Sequence, residues 1–260
     1  REKEFELLDK SYRSPLPKKY RWQDWAVDPE GITGDTLLDF INNDLFPKLK
    51  DLKANGNPMA HVIRAESGGA ALASGVHVEP IRTDRGIFTV KELKEAIDRT
   101  LAVPPPYGQP VSLVCVEQTH NFGGGTVWSL DELREISGYT RKQQIPLHMD
   151  GARLFNACVA TGISAADFSA TVDSLWIDFT KGLGAPIGAV LAGTNGLLRE
   201  ARRYKQLFGG AMRQAGIAAA GCLYALDHHV DRLAEDHEHA TLLARGLLTI
   251  SGIHVHTPTP

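Results

Sequence analysis

From residue 60 onward, short apolar runs alternate with longer segments in which apolar residues recur every three or four positions. The short runs are typical of buried strands, and the spacing of three to four is typical of amphipathic helices. Because helical segments separate the apolar runs, the pattern predicts an α/β domain with a mainly parallel sheet. The predicted strands cover residues 111–118, 145–149, 175–179 and 187–193.

Capping boxes mark the beginning of two predicted helices. In a capping box, a Ser or Thr side chain and a Glu three residues later each accept a hydrogen bond from the other residue's backbone N–H. Thr89 with Glu92, and Ser129 with Glu132, have this spacing. Further helical stretches are predicted over residues 195–207 and 213–248.

The first 52 residues have a different character, rich in charges and aromatic rings, with helical periodicity in their last third. Asp35 or Thr36 is placed to cap a helix there. Turn-forming residues follow and predict a linker over residues 53–59. We therefore divide the chain into a helical segment at 1–52, the linker, an α/β domain at 60–250 and a terminal piece at 251–260.

Composition narrows the class of protein. The 260 residues are 43% hydrophobic and 23% charged, as in ordinary globular proteins, and the formal net charge of −3 argues against a nucleic-acid partner. Neither a leader segment nor an apolar run long enough for a bilayer is present in the sequence, so we expect a cytoplasmic protein with no membrane partner. Cys115, Cys158 and Cys222 lie far apart in apolar surroundings and are predicted to be buried free thiols.

Polar residues follow each of the first three predicted strands. His120 and Asn121 follow the first strand, Asp150 the second and Lys181 the third. Taken singly, each has an ordinary explanation: turn chemistry for the His-Asn pair, a helix cap or turn for the aspartate, and a surface group for the lysine. In a parallel sheet, however, the carboxyl ends of the strands share one edge, where ligands bind.

An amine and an acid at neighbouring strand ends match the needs of one cofactor. Pyridoxal phosphate is an aldehyde that a lysine holds as an imine, and its pyridine nitrogen needs an acidic partner. Lys181 and Asp150 supply both groups, so the pattern favours a pyridoxal-phosphate site.

Four motifs, in order along the chain, closely resemble threonine aldolases: VEQTHNFGGGTVWSLDELREI, LHMDGARLFNACVATGI, DSLWIDFTKGLGAPIGAVLAGT and LFGGAMRQAGIAAAGCLYALDHHVDRLAEDH. These enzymes belong to the aromatic amino acid β-eliminating lyase/threonine aldolase group. The resemblance covers about residues 60–257. It implies the aspartate-aminotransferase-like large domain of fold type I pyridoxal-phosphate enzymes, here incomplete.

The resemblance also implies roles for residues around the cofactor. Lys181 matches the lysine that holds pyridoxal 5′-phosphate, and Asp150 matches the aspartate at the ring nitrogen. His61 matches the catalytic histidine that stacks on the ring, and Arg213 matches an arginine near the phosphate.

On the substrate side, Arg153 matches an arginine that helps to bind the substrate carboxylate. His120 matches a histidine close to the substrate hydroxyl, so His120, or a water it holds, is the predicted catalytic base. The implied reaction cleaves threonine or allo-threonine to glycine and an aldehyde, in a dimer or tetramer that acts on a small amino acid. Another fold type I β-eliminating lyase is the alternative from the same class.

Residues 20–52 resemble the N-terminal helical region of type I restriction-modification DNA methyltransferase subunits. We find no counterpart before His61 of the family's glycine-containing phosphate loop. The family's C-terminal domain would begin where this sequence ends. An inactive fusion remnant linked to a restriction-modification locus is therefore a third hypothesis.

A histidine-rich stretch near the end of the chain has two readings. A metal site is one, and a solvated helix face is the simpler one, so no metal is predicted. The histidines are His228, His229, His237 and His239.

Overall fold

The structure is a computed structural model, and it describes residues 60–104 and 107–255. The predictions for residues 1–52 and for the linker at 53–59 lie outside the described residues. So does the end of the terminal piece, and this division of the chain stays a prediction.

The elements follow the predicted alternation of strands and helices. None of the helices in the described part of the chain is both long and apolar enough to cross a membrane. In chain order the elements are α1 (His61–Arg64), α2 (Gly69–Ser74), α3 (Val90–Leu101), β1 (Val114–Glu117), α4 (Leu130–Lys142), β2 (Leu147–Asp150), α5 (Leu154–Thr161), α6 (Ala165–Ser169), β3 (Ser174–Asp178), β4 (Ala189–Gly193), α7 (Asn195–Leu207), α8 (Gly216–His228) and α9 (Leu233–Leu248).

The four strands form one sheet in the order β1-β2-β3-β4. The first three strands are parallel, which confirms the predicted mainly parallel sheet, while β4 runs antiparallel to β3. Only residues 179–188 connect β3 to β4. A parallel crossover needs a dozen or more residues, so this connection is short enough only for an antiparallel neighbour.

One face of the sheet carries the core. Both predicted capping boxes form, and they fix the beginnings of α3 and α4 on this face. Burying each large apolar side chain contributes about 1.5–3 kcal/mol, so this cluster supplies much of the folding free energy. The buried residues of the strands here are Val114, Val116, Leu147, Met149 and Leu175, and those of the helices include Leu93, Ile97, Leu133, Ile136, Leu154 and Phe168.

The other face of the sheet is polar because side chains alternate along each strand. Cys115, His148 and Ser174 stand in register across β1, β2 and β3, with His148 Nδ1 2.8 Å from Ser174 Oγ. The prediction that all three cysteines are buried is therefore wrong for Cys115, which is exposed on this face. Cys158 is half-buried and Cys222 is buried, and all three thiols are free.

A second cluster holds the segment between β3 and β4 against the C-terminal helices. The single helical stretch predicted over residues 213–248 is two helices, because the chain leaves the helix between His228 and Leu233. This break lets side chains from both helices pack on the segment after β3. The buried members are Phe179, Leu183, Ala185, Cys222, Ala225 and Leu233.

Candidate active site

The polar face ends in a row of three side chains at the carboxyl edge of the sheet. Glu117 of β1 is in register with Asp150 of β2, and Asp150 is in register with Trp176 of β3. The Gly151 N–H donates to the Trp176 carbonyl at 2.9 Å, so the residue that follows β2 is still hydrogen-bonded to β3. The structure thus places the predicted Asp150 at the centre of this edge.

The environment of Asp150 makes its carboxylate costly to ionise. Burial raises the pKa of Asp150 above its ordinary value, and the neighbouring Glu117 carboxylate raises it further. The Ala152 N–H, which donates to Asp150 Oδ1 at 3.1 Å, and the charges of His61 and Lys181 act in the opposite direction. The ionised form of Asp150 is therefore disfavoured, and a cationic partner would stabilise it.

Lys181 lies in the turn after β3, and its amine is directed back toward the same edge. Its Nζ donates to Asp178 Oδ2 and lies 5.6 Å from the centroid of the Trp176 ring. Burial alone would raise the pKa of Asp178, but hydrogen bonds from Lys181 and Thr180 and the charge of Lys181 lower it below its ordinary value. These contacts hold the amine of Lys181 in place. Because the side chain is 30% exposed, the amine is still accessible.

The turn that carries Lys181 is braced by His229, the residue that follows α8, and a second contact joins α5 to α9. His229 Nδ1 is 2.5 Å from the Leu183 carbonyl oxygen, so this nitrogen carries the proton and donates. Asn156 Nδ2 is 3.1 Å from His237 Nε2. Among the described residues no group of three His, Cys, Asp or Glu could hold a metal. Two of the four histidines thus brace this region of the structure, which neither reading of the sequence anticipated.

Replacing His229 by alanine is expected to destabilise the chain by about 1–2 kcal/mol, because the Leu183 carbonyl loses its donor. Chemical denaturation measures the free energy of unfolding. The control is His239→Ala, at an exposed position on α9, with an expected change within about 0.5 kcal/mol. Equal losses in the two variants would contradict the bracing role of His229.

His61 begins α1 next to this edge of the sheet. Its Nδ1 lies 2.8 Å from Glu66 Oε1, and its ring is stacked near Phe122 with centroids 6.0 Å apart. Its backbone N–H donates to Glu117 Oε2 at 2.8 Å. His61 is therefore brought to Asp150 and Glu117, as the predicted site requires.

His120 is buried in the turn after β1, with both ring nitrogens directed at protein groups. Nδ1 accepts the Gly123 N–H at 3.1 Å, so the neutral ring carries its proton on Nε2. Nε2 lies 3.9 Å from Glu117 Oε2. Burial lowers the pKa of His120 below its ordinary value, although the Glu117 charge opposes this. The neutral ring is thus a donor at Nε2.

Gly86 packs directly on the ring of His120. A Cβ at this position would lie 2.1–2.4 Å from three ring atoms, and the backbone has φ +89°. Only a glycine satisfies both conditions, so Gly86 determines where the His120 ring can lie.

The Gly86→Ala variant is therefore expected to lose about 1–3 kcal/mol more folding free energy than Gly75→Ala. Gly75 also has a positive φ, +64°, but nothing lies within 4 Å of its Cβ position. Both variants pay for the left-handed backbone, so the difference between their free energies of unfolding isolates the clash with His120. Equal losses would show that the ring moves aside at little cost.

A match to a family of known proteins agrees with this arrangement of side chains. The sequence model described as Beta-eliminating lyase matches residues 50–259. The chain belongs to the beta-eliminating lyase family. The match includes every predicted site residue, from His61 to Arg213.

The curated relatives of this chain include threonine aldolases. It is 32% identical over 232 residues to low-specificity L-threonine aldolase 1 of Arabidopsis thaliana, covering 88% of this chain and 62% of the relative. It is 36% identical over 196 residues to the low specificity L-threonine aldolase of Escherichia coli K12, covering 72% and 55%. The chain thus spans little more than half the length of these relatives.

Solved structures confirm the predicted fold type I architecture of the chain. A threonine aldolase structure from Leishmania major has a TM-score of 0.65 and 21% identity, covering 83% of this chain and 64% of that one. A 4-hydroxyphenylacetaldehyde synthase from Rhodiola rosea has a TM-score of 0.52 and 18% identity, covering 79% and 45%. At these identities the likeness shows the fold alone.

The two arginines predicted for the site have different surroundings. Arg153 is half-buried at the N-cap of α5, where its backbone N–H donates to the Gln118 backbone carbonyl at 3.2 Å. None of the described residues accepts a hydrogen bond from its guanidinium. Arg213 is exposed in the loop before α8, and the structure does not bring it to Lys181 or Asp150 through any contact among the described residues. Its predicted role stays a prediction.

Three residues of the candidate site were not predicted from the sequence: Glu117, Asp178 and Glu66. Asp178 and Glu117 end their strands. Asp150 was selected because ligands bind at the carboxyl ends of parallel strands, and the same reasoning applies to these two residues. Glu66 had no such signal, because its contact with His61 depends on the turn between α1 and α2.

Proposed function

We propose that the chain binds pyridoxal 5′-phosphate at Lys181 and cleaves a β-hydroxy-α-amino acid, threonine or allo-threonine, to glycine and an aldehyde. The observation that supports this most is the pairing of an accessible amine, Lys181, with a half-buried acid, Asp150, at the ends of neighbouring parallel strands. The printed names of the relatives from Arabidopsis and Escherichia coli point to the same reaction.

The chemistry of the side chains fits this cofactor. Bound pyridoxal phosphate supplies an aldehyde carbon that takes up amines and a pyridine ring that withdraws electrons when its nitrogen is protonated. Lys181 would hold the aldehyde end, and Asp150 would contact the ring nitrogen. The ionised form of Asp150 is disfavoured by burial and by Glu117, so a protonated ring nitrogen would stabilise it. In the same proposal, His61 lies against the ring and Arg213 binds the phosphate.

Asp178 and Trp176 give Lys181 its direction. The Asp178 carboxylate accepts a hydrogen bond from the amine, and the Trp176 ring lies beneath it. The amine is therefore held near Asp150 before any ligand arrives, which lowers the entropic cost of binding.

Arg153 and His120 would bind the substrate. A half-buried guanidinium without a carboxylate partner among the described residues suits the substrate carboxylate, with two parallel hydrogen bonds. Neutral His120 can orient the substrate hydroxyl by donating from Nε2. Because Nδ1 accepts the Gly123 N–H, we assign the hydroxyl proton to a water held by His120 rather than to the ring itself.

A β-elimination reaction is the second candidate, and the description of the matched family favours it. It would use the same lysine and aspartate but would release a keto acid and ammonia. Product analysis separates the two reactions, since only the aldol cleavage yields glycine.

The test uses the purified 260-residue chain with added pyridoxal phosphate. We expect a visible absorbance band that borohydride reduction fixes onto the protein, followed by acetaldehyde release from L-threonine or L-allo-threonine. A band with keto acid instead of acetaldehyde would support β-elimination. The absence of both band and product would refute the proposal for this chain.

We also propose that the protein works in the cytoplasm as a dimer or tetramer. The free thiols fit a reducing compartment. Apolar side chains exposed on β4 and α8, such as Val190 and Ile217, fit an interface between subunits. Sedimentation of the purified chain tests this assembly, and a monomer at micromolar concentration would contradict it.

A further inference from the structure

Glu117 is a buried carboxylate to which neither the family resemblance nor the proposed reaction gives a role. It ends β1, is 5% exposed, and stands in register with a second acid, the half-buried Asp150. Burying a carboxylate costs several kcal/mol unless hydrogen bonds compensate for the lost water. Placing two acids side by side adds repulsion, so the partners of Glu117 must offset both costs.

Each oxygen of Glu117 accepts one backbone N–H. Oε2 accepts from His61 at 2.8 Å, across 56 residues of sequence, and Oε1 accepts from Asn121 at 2.9 Å. One side chain thus ties the beginning of α1 and the turn after β1 to the edge of the sheet. Both tied segments carry a residue of the proposed site, His61 in the first and His120 in the second.

The same carboxylate faces the proton-bearing nitrogen of His120. Oε2 is 3.9 Å from Nε2, too far for a hydrogen bond but close enough for a strong electrostatic interaction in a buried site. Gly86 closes off the ring from another side, and the Gly123 N–H occupies Nδ1. The orientation of His120 is therefore set by its backbone neighbours, while the Glu117 charge favours the protonated ring against the larger, opposite effect of burial on the pKa of His120.

We propose that Glu117 is a positioning residue of the active site, whose carboxylate holds His61 and the His120 turn at the sheet edge through the His61 and Asn121 N–H groups. This inference rests on the proposed function for its purpose, but its geometry can be tested without any cofactor. Glu117 acts through His61 and His120 and is not assigned contact with substrate.

Hydrogen–deuterium exchange on the cofactor-free chain tests the two hydrogen bonds. A glutamine can accept on one side only, because its NH₂ group would face the other N–H. In Glu117→Gln we expect exchange at the amides of His61 or Asn121 to become at least about tenfold faster, while α3 and α4 exchange as in the wild type. The matched control is Glu135→Gln on the exposed side of α4, with no change at either amide.

Nitrogen-15 NMR of the His120 ring gives a readout that loss of structure alone would not produce. Glu117→Gln should move the ring titration to lower pH, because the charge that favours the protonated ring is gone. Glu117→Asp, which keeps the charge, should retain most of the wild-type midpoint. The other charged groups near this turn, His61 on α1 and Arg85 before α3, are unchanged in all variants.

The inference is overturned if the His61 and Asn121 amides exchange without protection in the wild type, a measurement that needs no variant to fold. It is also overturned if Glu117→Gln leaves the exchange and the His120 titration unchanged. Pyridoxal phosphate titration of the wild type is scored separately. A wild-type chain with protected amides and no absorbance band would refute the proposed function while leaving the positioning role of Glu117 intact.

Discussion

Replacing Lys181 by arginine is expected to abolish the visible absorbance band that the wild-type chain develops with pyridoxal phosphate. Arginine keeps a positive charge beside Asp178 but has no amine that can bond to an aldehyde carbon. Turnover of threonine should fall by at least about a thousandfold, the loss typical when a covalent catalytic group is removed. Absorbance titration and coupled acetaldehyde detection measure the two effects.

The control for this variant is Lys205→Arg, at an exposed position on α7. It should keep both the band and the activity. After borohydride reduction, peptide mapping of the wild type should find the added mass at Lys181. A band that persists in Lys181→Arg, or a label at another lysine, would show that a different amine holds the cofactor.

Local sequence patterns were sufficient to predict the elements that carry the site. The capping box of Ser129 and Glu132 needs only four consecutive residues, and the apolar run before Asp150 is complete in itself. Because the carboxyl ends of parallel strands share one edge of the sheet, Asp150 and Lys181 are predicted to lie at that edge without knowledge of any distant contact. The order of such segments along the chain predicts a mainly parallel α/β domain, whereas fold type I was implied only by the resemblance of four motifs to threonine aldolases.

Contacts between distant segments could not be predicted in this way. The bond from the His61 N–H to Glu117 spans 56 residues, and the bond from His229 to the Leu183 carbonyl spans 46. No spacing rule connects such residues, because their proximity follows from how the helices pack on the sheet. The roles of His61 and His120 therefore stay predictions, and their hydrogen bonds and the proton position on His120 come only from the structure.

The antiparallel β4 is an intermediate case. The number of residues between the two predicted strands was visible in the sequence, and a connection of that length excludes a parallel crossover. Counting loop lengths would have predicted the direction of this strand. The exposure of its residues, in contrast, depends on which other segments pack on the strand and cannot be predicted from the sequence of the strand alone.

At the carboxyl edge of the sheet, the ionised form of Asp150 is expected to destabilise the fold. Folding raises the pKa of Asp150, first through burial and then through the neighbouring Glu117 charge. The folded chain therefore binds a proton more tightly than the unfolded chain does. The favourable effect on stability is fully present below the unfolded pKa and is lost as the pH rises through the folded pKa.

Asp150→Asn is consequently expected to raise the melting temperature of the cofactor-free chain at pH 7, because the amide carries no charge and its oxygen can still accept the Ala152 N–H. The same variant should lose about a hundredfold or more in threonine cleavage, since the ring nitrogen of the cofactor loses its acidic partner. Thermal unfolding and acetaldehyde release measure these opposite effects on one protein.

The pH dependence provides the decisive comparison for Asp150. Between the unfolded and folded pKa values of this carboxyl, the wild-type chain should lose stability relative to Asp150→Asn as the pH rises, and the two curves should run parallel above that window. Asp227→Asn, at an exposed position on α8, should follow the wild type in both stability and activity. If Asp150→Asn were less stable than the wild type at pH 7, the carboxylate would be stabilising the fold, and its burial would need no cofactor to explain it. A more stable but inactive variant would instead show that this acid is kept in the sheet for its chemistry.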